Sequence, residues 1–403
     1  MNQKQFAILL ALVVVLGAAG LVLYRHNSSS WQSANQSIGK KLLGDLPIND
    51  VAAIVIKSGT NELNLVKKDN LWRVQERSDY PADYSIISGF LLKAVDLKAT
   101  QTEEVGPSQL GRFKLLPPGP ATNTGTLVEF KDQGGKPLKS LLIGKEHLRK
   151  SARPAPGGEF GGDLGFPDGR YVMVGVGAKT AALISDPLSS AEAKPEQWLN
   201  KDFFKAEKIR SIAVTFPEAT NSWRVSRETE SGDWKLADAG PDEQLDSAKT
   251  GSFTTALSSP TFTDVLPADA KPEQTGLDKP TVLTLDTFEN FSYTLKVGVK
   301  TNDTCRLAVG VAAVLPKERT PGADEKPEDK AKLDKEFQDS QTKLADKLKQ
   351  EQGLAKWTYL VSSWTLESLL KERSQLLVEK KEEPKKEEAK PDAMPAEPKK
   401  DGQ

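Results

Sequence analysis

Few side chains in this sequence are equipped for chemistry. One cysteine, Cys305, and two histidines, His26 and His147, stand among 403 residues. A lone cysteine forms no intramolecular disulfide, and with two histidines it cannot furnish a Cys/His zinc cluster. Ser-His-Asp or Cys-His catalysis would have to run through His147, because His26 abuts an apolar segment. His147 follows a Gly-Lys-Glu turn, where an ordinary exposed or half-buried histidine is the commoner outcome. Cys305 opens "CRLAVG", a strand-like run in which it fits as a small core residue. Carboxylates are plentiful, 56 in all, so pairs arise by chance. Glu103 and Glu104 are adjacent, and on a strand they point to opposite faces instead of flanking a glycosidic bond.

Glycine-rich stretches invite a phosphate-binding reading and do not support it. "GVGAKT" (175–180) has Ala178 where a P-loop needs glycine directly before its lysine. "GGEFGGDLG" (157–165) lacks dinucleotide-binding spacing, and a loose loop is the simpler reading. Asp163 and Asp168 do not alternate with further oxygen ligands as a calcium loop requires. The sequence therefore nominates no catalytic, cofactor-binding or metal-ligating residue, and no cofactor.

A net charge of −1 implies no broad electropositive face, which argues against nucleic acid as a partner. With 37% apolar and 28% charged residues, the chain can build cores for two or three domains.

The first of its elements is apolar. "FAILLALVVVLGAAGLVL" runs from Phe6 to Leu23 without a charge, and Tyr24 and Arg25 end it. At roughly 1.5 Å per residue the run just spans a hydrocarbon core of ~30 Å. A transmembrane signal anchor over 6–24, behind a short cytoplasmic leader (1–5), is the expectation. A cleaved secretory signal with Gly17-Ala18-Ala19-Gly20 as its small-residue region is the rival, and a buried soluble helix the third reading. A five-residue leader cannot be a domain, so the bulk is expected on the extracytoplasmic side of the inner membrane. Residues 25–44 are Ser/Asn/Gln-rich and read as a flexible spacer.

Two later stretches, "DNLWRVQ" (69–75) and "GDWKLAD" (232–238), say nearly the same thing, and their surroundings repeat as well. "VAAIVIKS", "ELNLVKK" and "LWRVQ" read as three short strands, then Asp83 caps a helix with Ile86, Ile87, Phe90, Leu91 and Ala94 at helical spacing. "GTLVEF", "KSLLIGK" and "RYVMVG" continue as strands, and "AKTAALIS" and "EQWLNKDFF" as helical turns. The second half offers "IRSIAVTF", "NSWRVSRE", "GDWKLAD", a helix capped by Asp246, "QTGLDKPTVLTLDTF" and "YTLKVGVK". "WTYLVSSWTLESLLKERSQLL" is set against "GRYVMVGVGAKTAALIS". Ile54 to Ile212 is 158 residues, Trp72 to Trp234 is 162, and Asp83 to Asp246 is 163. A near-constant offset over a whole element order predicts two tandem homologous α+β repeats, 45–205 and 206–378, each a mostly antiparallel sheet packed with a helix. Trp72 and Trp234 are then core anchors, with an aromatic ligand platform as the alternative.

Each repeat is expected to carry an insertion before its last strand. The first is Gly/Pro-rich (150–169); the second (316–355) is a charged helix. Leu333, Phe337, Leu344 and Leu348 form a narrow stripe on it, fitting either a solvated surface helix or a short coiled-coil or docking helix. Residues 379–403 have the composition of a disordered charged tail.

Trp72, Pro81-Ala82-Asp83, Leu110-Gly111, Ile143-Gly144 and Tyr171-Val172-Met173-Val174, with Trp234, Asp246, Gly276-Leu277-Asp278-Lys279-Pro280 and Val297-Gly298, form a pattern. It resembles the bacterial domain of unknown function 4340 family over roughly residues 45–378. The resemblance implies a single-pass envelope protein, often encoded beside gliding-motility-type ABC transporters, with no catalytic residues to carry over. The expected function is a non-catalytic accessory or scaffold component of an ABC-type transport complex. A solute- or glycan-binding module at the membrane surface is the alternative, and it needs an aromatic-lined pocket between the repeats. A carboxylate-dependent hydrolase comes third.

Overall fold

The computed structural model describes residues 38–149, 166–267, 269–322 and 325–379. The expected leader, the anchor, most of the spacer, the Gly/Pro-rich insertion from 150 to 165, and nearly all of the tail lie outside the described residues, as do His26 and Asp163. Among the described residues, no helix is long and apolar enough to cross a membrane.

Two mostly antiparallel sheets and few helices make an α+β fold. The first half contributes β1 (Ala53–Ser58), β2 (Asn61–Lys68), β3 (Leu71–Val74), β4 (Tyr80–Pro81), β5 (Ala99–Glu104), β6 (Thr126–Lys131), β7 (Pro137–Arg149), β8 (Phe166–Val174) and β9 (Thr180–Ile184). The second contributes β10 (Ile209–Thr215), β11 (Trp223–Ser226), β12 (Lys235–Leu236), β13 (Phe262–Val265), β14 (Thr281–Thr287), β15 (Phe291–Thr301), β16 (Thr304–Ala313) and β17 (Thr358–Ser362). Their spatial orders are β4-β3-β2-β1-β6-β7-β8-β9-β5 and β12-β11-β10-β14-β15-β16-β17-β13. With the two-residue β4 set aside, the orders correspond position by position.

Local chemistry explains the turns. β2 and β3 are joined by Asp69 and Asn70, both left-handed (φ 52° and 61°), as a two-residue hairpin matched to strand twist demands. Asp83 caps the helix Tyr84–Asp96 by accepting from the Ser85 and Ile86 amides at 2.8 and 3.2 Å. That helix buries Ile87, Phe90, Leu91 and Ala94, and Phe90 meets Phe130 of β6 and the fully buried Trp198. Asp246 caps in the same way, accepting from the Ala248 amide at 2.9 Å. Its α-helix, however, ends at Thr250 and continues as a 3-10 turn from Gly251 to Thr254. Ser and Thr residues compete for backbone hydrogen bonds and Gly251 adds backbone entropy, so one turn is all that forms.

Both halves place a glycine at one crowded point. A Cβ on Gly144 of β7 would lie 2.4 Å from the Phe113 carbonyl, and one on Gly298 of β15 only 2.0 Å from the Thr275 carbonyl. The residue after that carbonyl is left-handed in both: Lys114 (φ 53°) and Gly276 (φ 68°). Structurally, Gly276 therefore answers to Lys114.

Both halves also close alike. Ala82 bridges Leu199, with Asp83 N–H donating to the Trp198 carbonyl and Asn200 N–H to that of Pro81. Leu245 bridges Leu377, with Asp246 N–H donating to the Leu376 carbonyl and Val378 N–H to that of Gln244.

The structure corrects four expectations. "AKTAALIS" is not helical: it holds β9, paired with both β8 and β5. "WTYLVSSW" therefore corresponds to β9, and "CRLAVG" in β16 takes the place of "RYVMVG". The insertions consequently interrupt different connections, β7–β8 in the first half and β16–β17 in the second. Finally, residues 38–44, counted with the spacer, belong to the fold: Lys41 bridges Lys98, Leu42 N–H donates to the Leu97 carbonyl, and Leu43 is buried.

Buried side chains from both sheets merge into one hydrophobic cluster. A smaller cluster of Val105, Phe113, Leu115, Leu127, Leu142, Met173 and Ala181 lies apart from it.

Candidate ligand cleft between the sheets

Where the two sheets meet, the side chains were not legible as a group in the sequence. Tyr80 of β4 lies edge-on to Trp357 (4.8 Å between centroids), Phe262 (5.9 Å) and Tyr359 (6.1 Å) of the second half. Arg77 forks onto Asp264 of β13 through Nε (2.7 Å) and Nη2 (2.8 Å). This hydrogen-bonded carboxylate holds the guanidinium above its ordinary value. Burial drives the Tyr80 phenol up to about 12.

A cavity of about 190 Å³ opens at this junction. Tyr80, Phe203 and Trp357 give it aromatic walls, with Pro81 and Leu354 beside them, and Asn200, Asp202, Gln350, Glu351 and Lys356 supply its polar groups. The linker between the halves brings Asn200, Asp202 and Phe203, and the end of the insertion helix Lys330–Gln352 brings Gln350 and Glu351. The helix is where the charged insertion was expected. All four stripe residues are half-buried, and of these Leu344 and Leu348 pack against the merged core.

Glu351 anchors that helix end. It is 4% exposed, and Oε1 accepts from the Lys205 amide at 3.0 Å. Its Oε2 lies 2.9 Å from the Tyr293 hydroxyl, which lies 3.0 Å from the Lys205 carbonyl. One phenolic hydrogen cannot serve both oxygens. The Lys205 carbonyl also accepts from Lys347 Nζ at 2.9 Å, which leaves the Tyr293 hydroxyl free to donate to Glu351. Burial pushes the Glu351 carboxyl above its usual range, and it raises the Tyr293 phenol too.

The residues considered from sequence lie elsewhere. His147 on β7 places Nδ1 2.6 Å from Asp168 Oδ1, beside a cavity of about 280 Å³ lined by Arg112, Phe113, Glu146 and Tyr171; no Ser, Thr or Cys appears among its described lining residues. Cys305 is buried in the merged core, and burial raises its thiol. Glu103 and Glu104 are exposed on β5. Gly175 and Gly177 are left-handed turn residues between β8 and β9, with no helix following. Trp72 is 6% exposed and anchors the core. Trp234 is half-buried, stands edge-on to Phe253 and lies under the Arg227 guanidinium at 4.9 Å; Trp223, stacked on Phe253, is the more deeply buried indole. Among the described residues, no three His, Cys, Asp or Glu side chains gather as metal ligands.

Comparisons with family models, with curated proteins and with solved structures found no match.

Proposed function

We propose that this chain is a non-catalytic envelope protein, held at the inner membrane by residues 6–24 and acting as an accessory or scaffold component of an ABC-type transport complex. On this reading its soluble body is one α+β unit duplicated in tandem and placed on the extracytoplasmic side. The observation that carries the duplication is the shared strand order together with the shared closure, 198–200 on 81–83 and 376–378 on 244–246. The pattern from Trp72 to Gly298 that resembles the domain of unknown function 4340 family supports the transporter association. A body of this kind offers extended sheet faces and a charged helix to protein partners. Co-purification from gently solubilised membranes is expected to return transporter subunits, and protease should reach the body only in spheroplasts. A clean monomer in several detergents would remove the scaffold reading.

A second reading, a small-ligand module at the membrane surface, is favoured by one observation: the aromatic-walled cleft between the halves. Thermal-shift screening of envelope sugars and peptides against the full chain tests it.

A further inference from the structure

We infer that the cleft between the sheets accepts a single neutral pyranose ring of a glycan. This rests on the second reading above, the ligand module, and names its ligand class.

The lining discriminates among ligand chemistries. Phe203 and Trp357, both half-exposed, offer ring surfaces, and Tyr80, 2% exposed, backs the wall they form. Around them stand polar groups with no partner in the protein among the described residues. The side chains of Asp202, Gln350 and Lys356 make no hydrogen bond or ion pair there, and Asn200 uses only its Oδ1, accepting from the Asp202 amide at 2.7 Å. A purely apolar ligand would bury these groups without partners, at a cost for each. An ionic ligand finds no field of one sign. Asp202 and Lys356 carry opposite charges, and the Glu351 carboxyl is already engaged by the Lys205 amide and the Tyr293 hydroxyl. What fits is a ring with C–H faces for the aromatics and equatorial hydroxyls for two amides, a carboxylate and an ammonium. Size agrees. At about 190 Å³ the cavity is below the roughly 300 Å³ at which sites for drug-sized ligands begin, so it holds one ring with the rest of a chain outside.

A dozen or so heavy atoms at ordinary ligand efficiency give a Kd on the order of 1 mM for a monosaccharide. The experiment is saturation-transfer NMR on the full chain in detergent, with glucose, galactose and N-acetylglucosamine as probes, and with acetate, phosphate, choline and phenol as competitors of other classes. D202A and Q350A are exposed rim variants chosen to leave the fold intact, checked by unchanged Tm. Saturation transfer to the C–H protons of one of the sugars, weakened roughly tenfold by D202A and by less in Q350A, is the expected result. Binding of choline, phenol or an anion at the same residues, with no sugar binding, would overturn the pyranose assignment and keep the ligand module. Binding by no class, or sugar binding indifferent to both variants, would remove both. Co-purification with transporter subunits would stand or fall separately.

Discussion

Glu351 and Glu243 are carboxylates in opposite surroundings, and they should answer pH with opposite signs. Glu243 receives the Arg373 guanidinium (2.6 Å to Oε2) and the Gly240 amide, and the arginine hydrogen bond holds it down at about 2. A folded value below the unfolded one gives stability that is full above the ordinary range near 4.5 and lost as pH falls toward 2. Burial raises Glu351 instead, so its contribution is full below the ordinary value and lost as pH rises through the raised folded value. Tm measured against pH should show E243Q below wild type at neutral pH and converging with it near pH 2. E351Q, which keeps a neutral hydrogen-bonding head, should flatten the decline on the alkaline side. If the two variants exchanged sides, both assignments would be wrong. Glycines give a second test at this scale. G298A forces a Cβ to 2.0 Å from a carbonyl oxygen, so a loss of about 2–3 kcal/mol is expected from the backbone shift. Gly89 sits mid-helix with nothing within 4 Å of a Cβ, so G89A should gain about 0.5–1 kcal/mol. Urea unfolding of both variants measures the contrast.

Among the elements, the insertion helix Lys330–Gln352 reaches the merged core at one end only, its other end being tied to the preceding loop through Asp334, which accepts from Arg319. Leu344, Leu348 and Glu351 dock it, whereas most residues from 331 to 343 face solvent. Amide hydrogen exchange should therefore protect 344–352 and leave 331–343 fast; uniform protection along the helix would show a partner or self-association on its outer face. That helix also marks the limit of what periodicity reveals. The stripe Leu333, Phe337, Leu344, Leu348 announced a helix, but spacing cannot say whether a stripe meets its own chain or another. Asp83 and Asp246 were readable as caps because capping is local chemistry, and Trp72 as a core residue because a strand alternates. The 178–185 run reads as helix because Ala181 and Ala182 favour it, and only pairing with β5 and β8 makes this stretch a strand. Tyr80, Phe203, Asp264 and Trp357 carried no joint signal, because residues 80 to 357 come together only through tertiary packing of the two halves. The cleft was thus conceivable from the sequence as an interface between repeats, yet none of its residues could be named.

For the molecule as a whole, the decisive contact is the fork of Arg77 on Asp264, which ties the first sheet to the edge strand of the second. Both side chains are mostly covered, at 17% and 20% exposure, and the aromatic group of Tyr80, Phe262, Trp357 and Tyr359 lies in the same junction. Because core side chains run continuously from one half to the other, wild type should melt in a single calorimetric transition. D264A strands the guanidinium against a partly apolar surface. A fully buried pair broken this way costs about 3–5 kcal/mol, and the remaining exposure here lowers the expectation to roughly 2 kcal/mol. The loss falls on the junction and not on either sheet, so the variant should separate into two overlapping transitions, one for each half. R77M/D264L replaces the charges with apolar volume, and it should bring back one transition, since a packed hydrophobic pair substitutes well for a desolvated ion pair. If D264A lowered Tm while the transition stayed single, the shared apolar core and its aromatic contacts would be coupling the halves, and the fork would add stability without setting cooperativity.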